Sequence, residues 1–179
     1  MANMTYITQC AEALIKRYDT RDPFELCREL DIRIWYKDLG NDIQAYFFYQ
    51  SRIKNIVINQ HTSSISQKIL CAHELGHGLL HKELAAMRGF HEATFFDSTS
   101  RAEYEANLFA AELLIDDNEL LERLSGEEQS LFDLAKGLYV PAELLDFKFR
   151  ILKSKGCQLE APYIAQADFL KRRLPYGFD

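Results

Sequence analysis

Ser63-Ser64-Ile65-Ser66-Gln67-Lys68-Ile69-Leu70-Cys71-Ala72-His73-Glu74-Leu75-Gly76-His77-Gly78-Leu79-Leu80-His81 is the stretch on which the reading of this chain turns. Ile65, Ile69, Ala72, Leu75 and Leu79 recur at three- and four-residue intervals, which predicts a helix with one buried face. Ser63 and Ser64 can accept from the free N–H groups at its start. Inside it lies His-Glu-x-x-His. Four residues advance a helix by about 6 Å and return to the same face, so His73 and His77 can share one metal ion. Glu74, one step round, reaches the outer side, where an attacking water would lie. The pattern predicts a zinc hydrolase site, with Zn2+ as cofactor and Glu74 as the catalytic base. The bland alternative, two ordinary histidines and a solvated glutamate, does not account for the motif's place on so strongly periodic a helix.

Two histidines leave a catalytic zinc one protein ligand short. His81 continues the same face but stands about 12 Å along the axis from His73, too far for three ligands to converge on one ion. It suits a place beside the site or at the helix end. His91 and Glu92 fall in an aperiodic stretch, and nothing in their spacing directs them to a metal. A metzincin pattern is absent, because positions 80 and 83 are Leu80 and Glu83. The second helix, from Ser100 to about Ile115, offers Glu103, with Asn107 on the same face as a hydrogen-bond partner for a ligating histidine. Ser100-x-x-Glu103 is also a capping box, so spacing alone leaves Glu103 open between the two roles. Glu105 points about 200° away from it and reads as solvated.

Outward from this pair, Ile7, Ala11, Leu14, Ile15 and Tyr18 predict a first helix, and Asp22-Pro23 opens a second through about Leu30. Then the period changes to two. Ile32 to Lys37, Ala45 to Tyr49 and Ile53 to Asn59 predict three strands with tight connections, an antiparallel meander feeding into the metal helix. The aromatic strand residues read as sheet packing. Downstream, Asp116 or Asp117 caps a short helix to Leu124, and two more follow, from Leu131 to Leu138 and after Val140-Pro141. The expected fold class is α+β: a small three-stranded antiparallel sheet packed on a mainly helical domain. Residues 1–155 make one domain whose C-terminal helical part spans about 127–153, with 156–179 a tail of unassigned role.

The chain of 179 residues is 47% hydrophobic and 27% charged, ordinary for a globular protein that buries a real core. Its net charge of −6 argues against broad phosphate binding. Four widely spaced cysteines with no Cys-x-x-Cys pair favour a reduced, cytoplasmic setting, and Cys71 suits a small buried hydrophobe. Neither a signal peptide's apolar run nor a membrane-spanning stretch is expected.

His73-Glu74-Leu75-Gly76-His77-Gly78-Leu79-Leu80-His81, followed by Glu103-Tyr104-Glu105-Ala106-Asn107-Leu108-Phe109-Ala110-Ala111-Glu112-Leu113-Leu114, resembles the ImmA/IrrE family of metallopeptidases. The likeness runs over roughly residues 5–155 and implies a zincin-like domain of the gluzincin type. It implies that His73, His77 and Glu103 bind zinc and that Glu74 is the base. Asp116 departs from the proline many members carry after the Leu-Leu pair. The resemblance further implies an endopeptidase making one cut in a helix-turn-helix repressor of a mobile element or stress response. The alternative is an antirepressor that binds and sequesters such a repressor. A second oxyanion donor is unassigned among His91, Tyr104 and Tyr163. The strand Ile53 to Asn59 is the expected edge for an extended substrate. A third reading takes the helices from Glu127 to Lys153 as a DNA-binding helix-turn-helix with Lys148, Arg150 and Lys153 as its basic residues. Their Leu- and Phe-rich context disfavours it, and Lys171-Arg172-Arg173 reads as a solvated patch.

Overall fold

A computed structural model describes residues 3–81, 101–125 and 130–158. Helix α1 is Met4–Tyr18 and α2 is Pro23–Glu29, the latter capped by the Asp22 carboxylate with proline at its first position. Strands β1 (Ile32–Lys37), β2 (Ala45–Gln50) and β3 (Ile53–Asn59) follow. Then come α3 (Ser64–Leu80), α4 (Arg101–Leu114), α5 (Asp117–Leu124), α6 (Leu131–Gly137) and α7 (Ala142–Ser154). The class is α+β, as expected.

The sheet is not a meander. Its order is β1-β3-β2, with β3 in the middle, parallel to β1 (Ile32 opposite Lys54) and antiparallel to β2 (Ala45 opposite Ile58). The alternation in β3 concealed the reason. Asn55, Ile56, Val57, Ile58 and Asn59 are all buried, so both faces of this strand are covered and it belongs at the centre. β1 carries exposed Trp35 and Tyr36 and β2 exposed Tyr49, as edges can. Asn59 holds the crossing link. Its Nδ2 donates to the Gly40 and Ile43 carbonyls at 2.8 and 3.2 Å, and its backbone N–H donates to the Gln44 carbonyl at 2.8 Å.

α3 packs on α4 and on the sheet, and small residues set the spacing. A Cβ added at Gly76 would stand 3.3 Å from Ala106 Cα and 3.1 Å from the Phe109 ring, so α3 and α4 approach closely only because Gly76 has none. One turn on, the Phe47 ring of β2 occupies the space a Gly78 side chain would need. The core continues through Leu75, Phe109, Leu113, Phe147 and Ile151.

A buried ion network ties the helices together. Lys148 on α7 is fully buried and pairs with Glu112 of α4 at 2.6 Å and with Asp117 of α5. Lys155 reaches Glu112 at 2.7 Å, Asp117 at 2.8 Å and Glu12 of α1 at 3.0 Å. These partners hold the Lys155 ammonium well above its usual pKa, outweighing partial burial, which acts the other way. Asp116 is the residue that caps α5, through the backbone N–H groups of Asn118 and Glu119, and it pairs with Arg21 at 2.7 Å. Two of the basic residues assigned to a DNA-binding helix point inward: Lys148 lies in this network, and Arg150 pairs with Asp146 at 2.6 Å against the Phe147 ring.

Candidate metal centre

Ser63 caps α3 by accepting from the Ser66 N–H, and the helix runs unbroken from there to Leu80. His73 and His77 therefore stand one turn apart, both buried, with Nε2 atoms 3.0 Å from each other. Across the close α3–α4 contact, Glu103 places Oε2 3.3 Å from His73 Nε2 and Oε1 3.4 Å from His77 Nε2. The three are the one group among the described residues whose donor atoms gather as metal ligands would. Metal–nitrogen and metal–oxygen bonds near 2.0–2.1 Å at tetrahedral angles put neighbouring donors roughly 3.3 Å apart. Two imidazoles and a carboxylate at these separations fit zinc. Glu74 is buried beside them, its charge close enough to His73 to favour that ring's proton.

The electrostatics of the group suit a cation. Burial acts to lower the His73 pKa, but Glu103 (by hydrogen bond and charge), Glu74 and Asn107 outweigh it and the value rises. His77 is pushed down to about 4, by burial first and by the neighbouring His73 and His81, against the pull of Glu103. Burial would raise Glu103, yet its bonds to both histidines hold it well below the usual carboxylate range. The surroundings thus favour a proton on His73 and leave the His77 ring uncharged at neutral pH. A zinc ion bound through His73 would displace any proton on the donor nitrogen, so loading below the raised His73 pKa is expected to release it. The sign follows: below the raised His73 pKa the proton competes with the metal, so zinc affinity falls by about tenfold per pH unit as pH drops. Calorimetry in buffers of differing ionisation enthalpy measures the proton count, which should rise as pH falls; a count that does not change with pH would contradict it.

His81 stands beside the group and not in it, its Nδ1 3.2 Å from His77 Nδ1. Tyr104 lies against Phe147 and under the Arg150 guanidinium. Ser100, His91, Glu92 and Tyr163 lie outside the described residues. Glu105 is a correction. Instead of being solvated it is buried, with Oε2 3.1 Å from His81 Nε2 and Oε1 accepting from Arg101 Nε at 2.7 Å. The Arg101–Glu105 spacing of four was the one signal in the sequence that Glu105 has a partner.

Comparison with known proteins agrees with this architecture. The family model described as the IrrE N-terminal-like domain, a peptidase family, matches residues 27–150. A protein named uncharacterized immunity region protein 2, from Bacillus phage phi105, is 37% identical over 144 residues, covering 80% of this chain and 89% of its own length. The metallopeptidase ImmA of Bacillus subtilis (strain 168) is 28% identical over 140 residues, covering 76% of this chain and 80% of its own. The chain belongs to the ImmA/IrrE family of metallopeptidases.

Proposed function

We propose that this chain is a zinc endopeptidase in which His73, His77 and Glu103 hold the ion and Glu74 is the general base. The observation that carries the reading is the set of three buried donors, from two helices, at 3.0 to 3.4 Å. A zinc ion there would supply Lewis acidity towards a peptide carbonyl and a water. Glu74 would take the proton from that water and return it to the departing amine. Burial of the whole group keeps the developing charges in a low-dielectric site, where fixed partners act most strongly.

The substrate strand needs an edge, and β3 is not one. Among the described residues the edges are β1 and β2, and β2 is the one whose Phe47 packs on Gly78 of the metal helix. An extended peptide pairing with β2 would run beside the site. For the substrate, a helix-turn-helix repressor of a mobile element is the reading the family resemblance supports. The match to a phage protein named for an immunity region agrees with it. Such a repressor places the reaction in the cytoplasm, and no described helix is long and apolar enough to cross a membrane.

The second reading is an antirepressor that only binds. Glu74, buried next to His73, favours cleavage, because a binder has no use for a base at that position. Incubating the zinc-loaded protein with a candidate helix-turn-helix repressor should yield two fragments on a gel, and chelator should stop this. Full-length repressor recovered in a stable complex would establish sequestration instead.

A further inference from the structure

Three groups beyond the proposed ligand set remain unused: His81, Glu105 and Arg101. They form a continuous hydrogen-bonded line from the helix surface to His77. Arg101 Nε donates to Glu105 Oε1 at 2.7 Å, Glu105 Oε2 lies 3.1 Å from His81 Nε2, and His81 Nδ1 lies 3.2 Å from His77 Nδ1. The His81 and Glu105 side chains are 10% and 8% exposed, so water does not compete freely for these bonds.

Donor and acceptor logic gives the direction of the line when His81 is neutral. A carboxylate only accepts, so His81 must donate to Glu105 from Nε2. In neutral His81 that leaves Nδ1 with a lone pair, which can only accept from His77 Nδ1–H. His77 then has its proton on Nδ1 and a bare lone pair on Nε2, the atom that faces His73 and Glu103. We propose that His81 and Glu105 act as a positioning relay, holding His77 in the single tautomer and ring orientation that can bind a cation through Nε2. The proposal rests on His77 being a metal ligand. A histidine is suited to the middle place because its two ring nitrogens carry the constraint across the gap from α3 to a carboxylate on α4. Glu105 is two residues from Glu103, so the relay also fixes α3 against α4 where the proposed donors meet.

The test combines imidazole nitrogen NMR on isotope-labelled protein with zinc affinity by competition against a chromophoric chelator. In zinc-loaded wild type, His77 should be protonated at Nδ1 only and His81 at Nε2 only. The reverse on His81, or exchange between tautomers, overturns the relay. Glu105→Gln keeps the shape but lets an amide N–H donate to His81 and invert the line, while His81→Phe removes the acceptor. Both are expected to bind zinc about 10–100-fold more weakly than wild type, as loss of an outer hydrogen-bond partner does elsewhere. Affinities within about threefold of wild type, with the His77 tautomer unchanged, would show a merely structural contact and overturn the proposal. Should neither variant fold, the wild-type tautomers decide alone. If the wild type takes up no zinc, the ligand assignment fails, and the tautomers of the metal-free protein still judge the relay separately.

Discussion

Glu74→Gln protein is expected to bind zinc as the wild type does and to cleave its substrate at least about 10²-fold more slowly, the contribution of one positioned acid–base group. Glutamine matches glutamate in size, and the buried neighbours need not move to accept it. On the proposed mechanism the variant would lack the charge that draws a proton from the water and the acid that returns it to the amine. The substitution also takes away one of the negative groups that favour a proton on His73, so zinc loading at a given pH should release fewer protons than in the wild type. Initial cleavage rates measured beside zinc content separate the two effects. A Glu74→Gln protein that cleaves at the wild-type rate would remove Glu74 from the mechanism.

Lys148→Ala is expected to cost about 3–5 kcal/mol, because it breaks a buried charge pair from one side. Glu112 and Asp117 would keep only Lys155, which is itself partly exposed and shared with Glu12. For a chain of this size, that loss lowers the melting temperature by roughly 6–20 °C. Lys148→Met keeps the stem's packing and drops only the charge. It should be destabilised nearly as much, and a Lys148→Met protein as stable as wild type by thermal melting would show the network to be dispensable. The consequence reaches the site, since Glu112 shares α4 with Glu103 and Glu105.

What the sequence shows and what it hides follow from the range of the interactions. Caps act within a turn, so Ser63, Asp22 and the start of α5 at Asp116 are visible in the residues themselves. The pairing of His73 with His77 is a property of one helix and needs no knowledge of the rest. Strand order is different, because alternation specifies faces and not neighbours. Only the burial of both faces of β3, with Asn59 bonded to the crossing link, explains why it sits between β1 and β2. The buried place of Glu105 is hidden for a related reason. Its angle from Glu103 is fixed by helix geometry, but α4 is buried from Glu105 through Leu113, so the opposite face is also inside. Lys148 and Arg150 looked like surface charges near a helix end, and their acidic partners, except Asp146, lie on other helices.

The central claim is that α3 and α4 close on one zinc ion through two imidazoles and a carboxylate. X-ray absorption at the zinc edge of the loaded protein tests it directly. Two imidazole ligands with oxygen completing the shell are expected, all at about 2.0–2.2 Å, and no sulfur. A scatterer at about 2.3 Å, the zinc–sulfur distance, would bring in Cys71 or another thiol and contradict the assignment, as would a shell without imidazole.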